Sequence, residues 1–123
     1  MNKPIDARKL HEKALVWDNH TCMPFGHVEA FLPQLERVRA SGIDVLAINI
    51  GDSNITLEAQ MRMAAAMRHY IFARPQDYVL ARSVADIRRA KSEGRLAIFF
   101  DIEGGFALDG QLSLLELYAD LGV

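Results

Sequence analysis

Four short apolar runs punctuate the chain: Ala14–Trp17, Ile43–Ile50, Tyr78–Ala81 and Leu96–Ile102. Two of them, IDVLAINI and LAIFFDI, are nearly continuous in apolar residues rather than alternating. A strand has this pattern when both of its faces are covered, as in a parallel sheet flanked by crossover helices. Helical patterns follow each run. Pro33 stands at the first turn of a helix through Ala40, and Ser41-Gly42 stops it. Thr56 is placed to cap a long helix through about Phe72, with Glu58 in its first turn, where a negative charge meets the positive end of the helix dipole. Pro75 bars its continuation. Ser83 caps VADIRRAKSE and Gly94 ends it; Ser113 opens LLELYADL and Gly122 ends that one. An amphipathic stretch, Asp6–Lys13, precedes the first strand. In the long helix Leu57, Met61, Ala64, Met67 and Ile71 trace one face, so its methionines are expected in the core.

The order β-α-β-α-β-α-β-α predicts an α/β fold with parallel strands and right-handed crossovers. Two architectures fit: an open doubly wound sheet, complete at this length, or part of a (βα)8 barrel, which typically needs about 250 residues. Residues 1–123 show no linker, low-complexity tract or repeat, and are expected to form one domain portion without a second domain.

Composition narrows the field. Fourteen basic against sixteen acidic residues offer no electrostatic footprint for a nucleic-acid backbone. Cys22 is the only cysteine, which fits a reducing compartment and a cytoplasmic location. The start MNKPIDARKLHEKAL is too charged for a secretory signal. No apolar run approaches the roughly 20 residues that span a bilayer, so no membrane anchor is expected in this chain.

In both architectures ligands sit at the C-terminal ends of the strands. The first strand runs out into Trp17-Asp18-Asn19-His20-Thr21-Cys22. Alternate residues of an extended chain share a face, so Asp18, His20 and Cys22 are expected to point the same way. An imidazole and a thiolate so placed can converge on one cation. The plainer reading is that His20 caps a loop and Cys22 packs as a small hydrophobe. The fourth strand ends in Asp101-Ile102-Glu103-Gly104-Gly105, which puts two carboxylates on one face of an apolar strand. They can bind metal or carry protons; alternatively Glu103 turns into solvent where the glycines bend the chain. Asn49-Ile50-Gly51-Asp52-Ser53-Asn54, after the second strand, can contact a substrate or supply ordinary turn residues. His11, His27 and His69 show no metal-ligand spacing.

The motif order resembles the membrane (renal-type) dipeptidase family, peptidase family M19. The features that carry the likeness are Gly94-Arg95-Leu96, then Ile102-Glu103-Gly104-Gly105 after an apolar strand, then a Leu-rich helix from Leu114 to Val123. Upstream, ALVWDNHTCMPF resembles the family's first strand, usually an Asp-Gly-His-x-Asp pattern. The resemblance implies a (βα)8 TIM barrel, here about four βα units, with two zinc ions at its C-terminal mouth. It implies a hydrolase that cleaves dipeptides with a hydroxide held between the two ions. His20 matches the first histidine ligand and Glu103 the carboxylate that bridges both metals. The second ligand is usually aspartate, and Cys22 stands in its place; a thiolate is a good zinc ligand and makes the site softer. Asn19 replaces the usual glycine. A metal hydrolase of the broader amidohydrolase type would carry H-x-H on the first strand, which Cys22 interrupts.

The family's remaining histidine ligands, its substrate-binding histidine and a late acidic residue have no counterpart in this sequence. The chain is therefore expected to be the N-terminal portion of such an enzyme, about half a barrel, with no catalytic residue beyond the metal site and with little dipeptidase activity alone. Half a barrel leaves unpaired edges, so a homo-oligomer is expected. The alternative is a non-catalytic truncated α/β module that acts through association.

Overall fold

The structure is a computed structural model that describes residues 4–24 and 27–123; Phe25, at the end of the first family-like stretch, lies outside the described residues. Its elements in chain order are α1 (Ala7–Lys13), β1 (Trp17–Cys22), α2 (Val28–Phe31), α3 (Gln34–Ala40), β2 (Val45–Asn49), α4 (Leu57–Phe72), β3 (Tyr78–Leu80), α5 (Val84–Ser92), β4 (Leu96–Asp101), a 3-10 turn (Gly105–Leu108) and α6 (Leu114–Leu121). The four βα units expected from the apolar pattern are present. Thr56 and Ser83 cap α4 and α5 as predicted, their hydroxyls accepting the backbone N–H of Ala59 and Asp86. Ser113 makes no such bond at the start of α6.

The first strand ends at Cys22 as expected but starts later than the apolar run. The apolar run Ala14–Trp17 only leads into it, and the ladder itself is the polar stretch Trp17–Cys22. The physical reason lies at Asp44. Its carboxylate accepts the Val16 N–H at 2.8 Å, and the Val16 carbonyl accepts the backbone N–H of Asp44 and Val45. This clamp starts the pairing after Val16. Lys91 Nζ closes on the same carboxylate at 2.6 Å and on the Ala14 carbonyl at 2.8 Å, which ties α5 to the entry of β1 and β2.

All strands pair in parallel, in the order β1-β2-β4-β3. A sequential walk around a barrel would place β3 between β2 and β4. It lies outside β4 instead, paired only with Leu96–Ile98. The step from β3 back to β4 therefore runs opposite to the earlier steps. A right-handed crossover then puts its helix on the other face of the sheet. The packing agrees. Leu46, Ile48, Ile50, Leu96, Ile98 and Phe100 face the main core with α3, α4 and α6, whereas Val45 and Ala97 face a second, smaller core with Ile87 and Ala90 of α5. Strand alternation sends Asn49 and Asp101 to the same face as Val45 and Ala97, but at the C-terminal end of the sheet.

The chain after α6 returns to the sheet. Gly122, at φ +108°, offers its carbonyl to the Phe100 N–H at 2.8 Å, and a side chain there would press on Leu80. Arg68 Nη1 donates to the Leu121 carbonyl and Arg82 pairs with Asp120, so two cations sit at the negative end of α6. Among the described residues no helix is long and apolar enough to cross a membrane.

Helix α4 buries Gln60 along with Met63, Ala64, Met67 and Ile71, while Met61 and Leu57 lie at the edge of the core. The Tyr118 hydroxyl lies 2.6 Å from Gln60 Oε1 and 2.8 Å from the Ala107 carbonyl oxygen, and its single proton is shared between them. Tyr118→Phe leaves those buried acceptors without their donor, at an expected cost of about 1–3 kcal/mol. Urea denaturation should show a lower midpoint with an unchanged slope; an unchanged midpoint would contradict this account of the core.

Candidate metal centre

The site is built on a row of the sheet. Cys22 pairs with Asn49 across β1 and β2, and Asn49 pairs with Asp101 across β2 and β4. Residues at one level of a parallel sheet send their side chains to the same face, about 4.8 Å apart from strand to strand. The row lies at the C-terminal ends of three adjacent strands.

His20, two residues before Cys22 on β1, stands beside this row, and a bulge in β1 turns Asp18 away from it. The register shifts between Asp18 and Thr21. Strict alternation would have aligned Asp18 with His20 and Cys22. The Asp18 carboxylate instead folds back along its own strand, accepting the His20 N–H at 3.2 Å and the Thr21 hydroxyl proton at 2.9 Å. Asp18 supports the bulge, and bulges re-aim side chains in this way. Asn19 needs no left-handed backbone here, because Asp109 is the only non-glycine with positive φ among the described residues.

His20 lies between two carboxylates. Asp101 Oδ1 stands 3.1 Å from Nδ1, and Glu103 Oε2 stands 3.6 Å from Nε2. Cys22 Sγ lies 3.3 Å from the same Nε2. With Nδ1–H donated to Asp101, Nε2 keeps its lone pair for the open side of the site. One ligand atom each from His20, Cys22 and Glu103 lies within 4.8 Å of the others. Glu103 is held from its backbone, its N–H donating to the Gly51 carbonyl at 2.6 Å.

The pKa of the Asp101 carboxyl sits above its ordinary value. Burial pushes it up, the facing His20 opposes that shift, and the Glu103 and Asp18 charges reinforce it. Its second oxygen, Oδ2, is buried and has no hydrogen-bond partner among the described residues.

Residues 6–123 match the family described as membrane dipeptidase (peptidase family M19). The chain belongs to this family. Among solved structures, the M19 chain is similar to an amidohydrolase from Pseudomonas aeruginosa, with a TM-score of 0.82 at 22% sequence identity. The match covers 97% of this chain and 35% of that one, so the chain spans about a third of its neighbour's length. The four parallel strands correspond to a partial barrel of the (βα)8 type in which β3 stands outside β4 and not between β2 and β4. No curated protein matches the chain.

The donor set of the M19 chain fits a zinc-class cation. It offers an imidazole nitrogen, a thiolate sulfur and a carboxylate oxygen, the atom types zinc prefers. The His20 ring carries a carboxylate on its far nitrogen, as metal-ligating histidines commonly do. The unpartnered Asp101 Oδ2 marks a place where an added positive charge would be stabilising.

The pattern of apolar runs did not single out Asn49 or Gln60. Asn49 is fully buried; its Oδ1 accepts the Gly51 N–H at 2.9 Å, and its Nδ2 faces Glu103 Oε2 at 3.3 Å. A lone polar residue closing an apolar strand was its only signal. Asp52 keeps the ordinary turn role, its carboxylate accepting the Asn54 N–H. With Ser53, Asn54, Glu103, Gly104 and Phe106 it lines a cavity of about 300 Å³ beside the site. His11 packs against Gly42, His69 is exposed on α4, and His27 lines a separate cavity against Val28 and Met63.

The contact with Asp101 assigns the neutral His20 ring to the Nδ1–H tautomer. Long-range nitrogen–proton NMR of the neutral ring should report that form in the metal-free protein; an Nε2–H tautomer would contradict the assignment.

Proposed function

We propose that His20, Cys22 and Glu103 hold zinc in a hydrolase that cleaves dipeptides, with Glu103 shared between two ions. The observation that carries this reading is the convergence of an imidazole, a thiol and a carboxylate at the strand ends of an M19 chain. The family's dipeptidase description supports the reaction class.

The chain's own residues divide the work. Asp101 holds the His20 ring and its tautomer, so that Nε2 is presented without rotational freedom. The Gly51 carbonyl holds the backbone of Glu103 and sets the height of its carboxylate over the strand ends. Alternation along β1 brings His20 and Cys22 together from one strand. When bound, zinc supplies Lewis acidity toward a peptide carbonyl and lowers the proton affinity of a water. The cavity formed by Asp52, Ser53, Asn54 and Phe106 opens beside Glu103, and it is the space a small dipeptide would enter. Cys22 in place of the family's usual aspartate makes this a softer variant of the site.

A second reading is association. Phe106, Leu112 and Leu115 are 72%, 74% and 50% exposed, an apolar surface that a second copy of the chain would cover. Sedimentation separates the readings, because an associating module without metal would assemble equally well in chelator and in zinc.

Substitution of Cys22 in the intact protein tests the first reading. Cys22→Ser should lower zinc affinity and dipeptide hydrolysis by more than the about 10–100-fold typical of losing an outer partner. Cys22→Asp should recover part of both, since a carboxylate restores the hard-ligand form of the site. Unchanged zinc content and turnover in Cys22→Ser would overturn the assignment.

A further inference from the structure

We infer that Asn49 is the positioning residue that aims Cys22 and Glu103 at one cation. The inference rests on the metal reading above. Asn49 closes β2 in the middle of the site row, between Cys22 on one neighbouring strand and Asp101 on the other. Its side chain is fully buried. Its amide orientation is fixed, because the Gly51 N–H at 2.9 Å requires the oxygen on that side.

The other end of the amide is therefore a nitrogen, which donates two protons and accepts none. Its neighbours there are Glu103 Oε2 at 3.3 Å and Cys22 Sγ at 3.9 Å. Both atoms are acceptors in the ionised forms that ligate a cation. The nitrogen thus sits behind two of the three candidate donors. His20 has a separate support in Asp101. Every candidate ligand is then backed by a group at the end of β2 or β4: His20 by Asp101, Cys22 and Glu103 by Asn49. A donor behind a ligand restricts its lone-pair direction and withdraws charge from it, which tunes the metal without touching it.

A merely structural Asn49, serving only the Gly51 turn, would change stability and leave the electronic state of the sulfur unmoved. The test uses zinc alone, in competition with a chromophoric chelator, and cobalt(II) as a spectroscopic substitute. In Asn49→Leu zinc affinity should fall by about 10–100-fold. The sulfur-to-cobalt charge-transfer band should move to longer wavelength, because the sulfur has lost an N–H donor and gives up its electron more easily. Asn49→Ala carries the same test if the leucine variant does not fold. A variant with the parent's far-ultraviolet circular dichroism, zinc affinity within about twofold of the parent and an unmoved band would overturn the inference. A parent protein without any sulfur-to-cobalt band would show that Cys22 is not a ligand, and would overturn both the metal reading and the role of Asn49.

Discussion

The parallel register of β1, β2 and β4 is the constraint on which the site depends. It sets Cys22, Asn49 and Asp101 at one level, on one face, at the ends of three adjacent strands. A slip of one residue in any of these strands would turn its member of the row to the opposite face. The register is held from below by apolar burial. Leu46, Ile48, Leu96 and Ile98 are essentially inaccessible to solvent, and their alternation leaves little freedom in how β2 meets β4. Polar chemistry at the top of the sheet is thus positioned by hydrophobic packing beneath it.

The edge strand obeys a different rule. β1 carries WDNHTC, a run with little apolar character, and its own packing would hold it weakly. Polar clamps hold it at its entry, through Asp44 and Lys91, and within the bulge, through Asp18. This suits a strand whose side chains serve a site instead of a core. The bulge turns Asp18 off the face of the site, while His20 and Cys22, two residues apart on the strand, keep their shared face with ring and sulfur 3.3 Å apart.

Much of this was legible in the order of residues, and the exceptions have physical causes. The long apolar runs of β2 and β4 and the caps Thr56 and Ser83 carry local signals strong enough to read directly. The start of β1 was set too early because apolar runs mark burial, and an edge strand at a site is not fully buried. The place of β3 outside β4 depends on long-range pairing that three residues cannot encode. Gln60 was overlooked, and Asn49 was read only as part of a substrate-contact or turn stretch, because a buried polar residue reads as surface until its partners are known: for Gln60 the Tyr118 hydroxyl, for Asn49 the Gly51 N–H and Glu103. The convergence of His20 with Glu103 was expected from their places at strand ends and from the family resemblance, since no local pattern links residues so far apart in the chain.

The central claim is that one sulfur, from Cys22, joins His20 and Glu103 around a cation. Zinc K-edge X-ray absorption on the zinc-loaded protein tests it most directly. The account predicts a sulfur shell at about 2.3 Å together with nitrogen and oxygen scatterers at about 2.0–2.2 Å. A spectrum described by nitrogen and oxygen alone would contradict it.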